Sequence, residues 1–173
     1  MNQEFETQLQ VVQRALGEVV LPALGGAEGH VIEQLHLSIA ALAFMQQRLS
    51  RSRHFHRETV SSYVAMAEAI IALLSGYAGA ESGGLAVLVT EGRSLLQAPA
   101  ADDAHYIGFT RQLRARIAAV AADAPESAYE GALDALILDL SGPILLRDRV
   151  WCIPLGFELR PEDLPDIEKD QVG

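Results

Sequence analysis

EGHVIEQLHLSIAALAFMQQRLS, residues 28–50, decides the fold. Val31, Leu35, Ile39, Leu42 and Leu49 recur at steps that return to one side of a helix. Leu37 and Phe44 form a second apolar strip on nearly the opposite side. A helix that is apolar on two sides needs cover on both, so it belongs inside a bundle of helices.

The flanking segments repeat the pattern. Upstream, Phe5, Leu9, Val12, Leu16, Val19 and Ala23 alternate steps of four and three, predicting a helix that ends near Pro22 and Gly25-Gly26. Downstream, residues 57–77 place Val60, Tyr63, Met66 or Ala67, Ile70, Leu74 and Tyr77 on one face, with glycines at 76, 79, 83 and 84 to end the helix. A shorter helix is predicted over residues 85–96. The next has Asp102 or Asp103 as N-cap and Tyr106, Phe109, Leu113, Ile117 and Val120 inside. The last starts at Pro125, carries Tyr129, Leu133, Leu136, Ile137 and Leu140 inward, and stops at Ser141-Gly142-Pro143. Ala and Leu, both strong helix formers, make up 50 of the 173 residues. The fold class is therefore all-α: an antiparallel bundle of five or six helices over residues 1–143.

Residues 144–173 break the helical pattern. The run ILLRDRVWCIPLGFELRPEDLPDI is rich in proline, and Ile153, Leu155, Phe157 and Leu159 alternate as in an extended chain. This tail is too apolar for solvent and is expected to pack on the bundle or on a partner. Trp151, the single tryptophan, with Leu155, Phe157 and Arg149, forms the candidate partner-binding set, since Trp and Arg dominate interface hot spots.

Composition narrows the function. A net charge of −10 opposes the clustered cations that duplex binding needs, and it disfavours a basic helix lying on a membrane. The longest apolar stretch is far below the ~20 residues that cross a bilayer. The polar N-terminus has no secretory pattern, which makes a cytoplasmic location the expectation. One cysteine, Cys152, cannot build an internal disulfide framework or a multi-thiolate zinc site.

Two constellations offer chemistry. Glu33-x-x-His36 puts a carboxylate and an imidazole on one helix side, as in ferritin-like di-metal bundles, with Glu68 and Glu91 as the carboxylates nearest that level. Such a site would take a divalent metal; no other cofactor is expected. Arg48, Arg51, Arg53, His54, His56 and Arg57 crowd what is expected to be an inter-helix loop, where guanidinium forks suit an anion. No nucleophile elbow or phosphate-binding glycine loop occurs, so the chain leans away from catalysis.

Residues 16–49, beginning LGEVVLPALGG, resemble the opening of small helical proteins of unknown function that accompany aminoglycoside-phosphotransferase-like hydroxyacyl-CoA kinases. The Arg and Asn of that pattern are replaced here by Glu33, His36 and Ala40, and the resemblance carries over no site residue. The expected function is that of a non-catalytic accessory or adaptor protein, associating with another protein or with itself as a homo-oligomer. The alternatives are a metal-dependent enzyme using the Glu-x-x-His helix and a helical sensor of a small ligand.

Overall fold

The computed structural model describes residues 2–78, 80 and 82–165, with side chains from Phe5 onward. Gly79 and residues 166–173 of the expected tail lie outside the described residues. The fold is all-α, with no strand among the described residues. Its helices are α1 (Asn2–Arg14), α2 (Leu21–Ala23), α3 (Gly29–Arg48), α4 (Ser52–Leu74), α5 (Leu85–Gln97), α6 (Asp103–Ala122) and α7 (Glu130–Cys152). The chain divides into two compact units, residues 1–51 with 146–173, and residues 52–145.

The 52–145 unit holds nearly all of the buried core. Val60, Ala67, Ile70 and Leu74 of α4 meet Leu85 and Val89 of α5 and the inner face of α6. All five residues predicted for that α6 face, Tyr106, Phe109, Leu113, Ile117 and Val120, are buried. Asp102 is the N-cap, accepting the His105 N–H at 3.0 Å, and His105 closes a capping box by reaching back to the Asp102 N–H. Gly92 is buried where three helices converge. A Cβ there would stand 2.5 Å from Val64 Cγ2 and 2.8 Å from Phe109 Cε1, so only glycine permits this approach.

Three boundaries differ from the sequence expectation, each for a local reason. The Arg/His-rich segment is not a loop. A single 3-10 turn, Leu49–Arg51, separates α3 from α4, and Arg53 to Arg57 already belong to α4. No Gly or Pro interrupts that stretch, and Arg is a good helix former. The last helix starts later than Pro125, because Glu126 takes a left-handed φ of 65° that no helix accommodates.

That helix also runs straight through Ser141-Gly142-Pro143 to Cys152, so residues 144–152 are not extended. An internal proline costs about 3 kcal/mol by deleting one helical hydrogen bond and crowding the carbonyl four residues back. Ile144 and Val150 beyond it are both buried. Burying two such side chains contributes roughly 3–6 kcal/mol, enough to carry the helix on.

The other unit consists of α1, α2 and α3 with the end of α7 and the residues after it. Between α1 and α2 lies a π-helical segment, Ala15–Val20. Pro22 supplies no N–H to Glu18 and its ring would crowd that carbonyl. The wider π turn, closed by the Leu21 N–H on the Leu16 carbonyl, relieves the conflict. It also shifts the helix face by one residue, so Leu21 and Leu24 are half-buried while Ala23, predicted inside, is exposed. The connection from Leu24 to Glu28 is short, so α1 and α3 pack as an antiparallel hairpin.

A candidate association surface

Arg48 of α3 fastens the end of α7. Arg48 donates from Nε to the Trp151 carbonyl at 3.0 Å and from Nη2 to the Val150 carbonyl at 3.2 Å. These are carbonyls of the last helical turn, which lack intrahelical partners, and a cation there also meets the negative end of the helix dipole. The same guanidinium lies 5.1 Å from the centre of the Trp151 ring, and Phe44 meets that ring edge-on at 6.1 Å. The second apolar strip read on residues 28–50 is thus covered, at Phe44, by the protein's own C-terminal segment.

Beyond Cys152 the chain is not extended at first. Ile153–Leu155 forms a 3-10 turn with Pro154 in its first positions, and Gly156 ends it at a φ of 76°. Arg149 then grips Glu158 with two hydrogen bonds, at 3.0 and 2.9 Å. This fork holds the Glu158 carboxyl below its ordinary range and the Arg149 guanidinium above its own. Ile153 and Leu155 are half-buried, whereas Phe157 is 73% and Leu159 95% exposed. Of the four predicted partner-binding residues, Trp151 is engaged within the chain, Leu155 is half-covered, Arg149 is paired and Phe157 alone stands open. The Cys152 side chain lies at the surface, yet desolvation pushes its thiol up, with Asp148 adding to the effect and Arg48 opposing it.

The arginine-rich cluster is largely occupied in similar work. Arg53 donates to the Pro99 carbonyl at 2.9 Å and Arg57 to the Leu96 carbonyl at 3.4 Å, both near the C-terminal end of α5. Arg57 also lies 3.4 Å from Glu58. His56 packs edge-on against Phe55, and Arg51 and His54 are exposed. Ser52 Oγ donates to Asp103. The arrangement spends most of its forks on helix ends, a role that a count of charges in sequence does not reveal.

Glu33 and His36 are exposed on α3 in one unit, while Glu68 and Glu91 belong to the other, where Glu68 is paired with Arg93 at 2.7 Å. Among the described residues no group of three or more His, Cys, Asp or Glu side chains comes together to hold a metal. Thr90, Arg93, Ser94, Gln97 and Ala98 line an open depression along α5, on one helix rather than between helices.

A different surface was missed in sequence. In the unit of residues 1–51 and 146–173, Val150 is the one buried residue among those described. On α1, Leu9 is half-buried, but Phe5 (63%) and Val12 (44%) are exposed; in the π segment that follows, Leu16 is half-buried and Val19 (67%) exposed. On α3, Leu35 and Leu42 are half-buried, but Val31 and Met45 (53%) are exposed, with Ser38 between them. Phe5 to Val12 on α1, and Val31 to Ser38 to Met45 on α3, are steps of seven residues. That spacing was the available signal, since seven-residue repeats mark helix seams that expect a partner. No helix among the described residues is long and apolar enough to cross a membrane.

No family model, curated protein or solved structure matches the chain.

Proposed function

We propose that the protein works by association, as a non-catalytic accessory or adaptor subunit. The observation that supports this is the uncovered apolar surface of the α1–α3 unit, whose side chains occupy helix seams without reaching burial. Exposed apolar strips lose about 25 cal/mol for every Å² left in water, so a stable chain keeps them where a partner removes that cost. Phe157 and Leu159 extend the same character into the C-terminal segment. The acidic charge suits partners other than nucleic acid.

The deciding experiment isolates the full-length protein from its native host under mild conditions and measures the mass and composition of what contains it. An assembly of fixed stoichiometry, with another protein or with copies of itself, supports association. A single chain on its own, both in the lysate and after purification, overturns it. The metal-enzyme alternative is tested by elemental analysis of protein purified without chelators, where sub-stoichiometric iron, manganese and zinc remove it.

A further inference from the structure

We infer that the open face of the α1–α3 hairpin is closed by a second copy of the same hairpin, giving a four-helix bundle about a twofold axis. This rests on the association proposed above and names its occupant. The geometry begins with an offset shared by the two helices. On α1 the open residue Phe5 stands four positions before the half-buried Leu9, and Val12 stands three after it, the same rotational step. On α3, Val31 stands four before the half-buried Leu35, and Met45 stands three after Leu42, the same rotational step. Two antiparallel neighbours with the same rotational offset turn their open strips to one common face of the pair. Parallel neighbours would turn them to opposite faces.

Three properties of that face select a second copy. The first is charge: the chain carries −10, so copies repel unless they meet on a surface without carboxylates. The positions between the apolar residues on these strips are Gln8, Ala15, Gln34 and Ser38, all uncharged. The second is periodicity. Seams with one repeat length on both helices are complementary to themselves, as a twofold interface requires. The third is size. The helical stretch from α1 through α2 and helix α3, each about 30 Å long and about 10 Å wide, offer roughly 600 Å² side by side, at the lower edge of the roughly 600–1,000 Å² per partner of a stable interface.

Sedimentation of the full-length protein at micromolar concentration is expected to give a dimer. Val12→Glu and Met45→Glu each place a carboxylate in the seam and are expected to raise the dissociation constant at least about tenfold. Leu138→Glu adds the same charge at an exposed apolar position of the other unit and is expected to leave the dimer unchanged. All three sites are exposed, and circular dichroism checks that helicity is retained. A dimer indifferent to Val12→Glu and Met45→Glu overturns the choice of face. A purified monomer that enters a larger complex of fixed composition in host lysate overturns the second copy but leaves association standing. A monomer in both settings overturns both.

Discussion

Arg48 concentrates at one residue what fastens the C-terminal segment: two carbonyls capped and one indole covered. Replacing it by Gln removes the fork and the stacking together. Trp151 is the single tryptophan, so its fluorescence reads that change directly. Arg48→Gln is expected to shift the emission to the red and to increase quenching by acrylamide; an unchanged spectrum would refute the fastening role. Cys152, next to it, carries a thiol pushed above its usual value near 9.0. Alkylation at neutral pH should therefore be slower than for an unhindered cysteine, rising to half its maximum only above that pH. Glu158 and Asp102 behave in the opposite sense. Both carboxyls are lowered, Glu158 by the Arg149 fork and Asp102 by the His105 backbone N–H and then its ring. Their contribution to stability is complete above the ordinary values of 4.5 and 3.8 and fades as pH falls through the depressed ones. In an acid titration of Tm, Glu158→Gln and Asp102→Asn should flatten this part of the curve.

At the scale of elements, α7 and α5 make opposite compromises. α7 keeps a proline inside because the residues beyond it are buried. Pro143→Ala restores a helical hydrogen bond, recovering up to about 3 kcal/mol, and loses about 0.4–1 kcal/mol through a freer unfolded chain. The net expectation is a gain of up to roughly 2 kcal/mol in chemical denaturation, and a loss would show that the proline itself is required there. α5 keeps a glycine inside because its neighbours stand too close for a methyl group. Gly92→Ala improves helix propensity by about 1 kcal/mol, but it drives a Cβ into Val64 and Phe109, where overpacking costs typically 1–3 kcal/mol. Destabilisation by about 1–2 kcal/mol is expected, since the 2.5 Å approach is to a buried side chain with little room to retreat.

At the scale of the molecule, the two units differ in how they reach stability. Residues 52–145 have a core of their own, whereas residues 1–51 and 146–165 have mostly half-covered seams. Amide exchange should follow this division. Protection is expected to be deep and independent of concentration in α4 and α6. In α1 and α3 it should be shallow in dilute protein and rise with protein concentration, as mass action requires of a surface covered by a second copy. Protection of α1 that ignores concentration, in a range where the protein is monomeric, would contradict it.

The sequence by itself determined the helical class, most helix positions and the inner faces of α4 and α6, because 3.6-residue periodicity and caps such as Asp102 are local properties. It also showed that α3 is apolar on two sides. Only the tertiary structure decided which apolar strips are covered. Phe5 and Val12 look like core in sequence, as Phe109 and Leu113 do, yet α1 packs along α3 while α6 packs against both α4 and α5. Passage of α7 through Pro143 likewise depended on the burial of Ile144 and Val150, and the arginines acquired their function from carbonyls far away in sequence. Local patterns state which residues need cover. Which of them find it depends on how many elements the chain brings alongside, and periodicity carries no information about that.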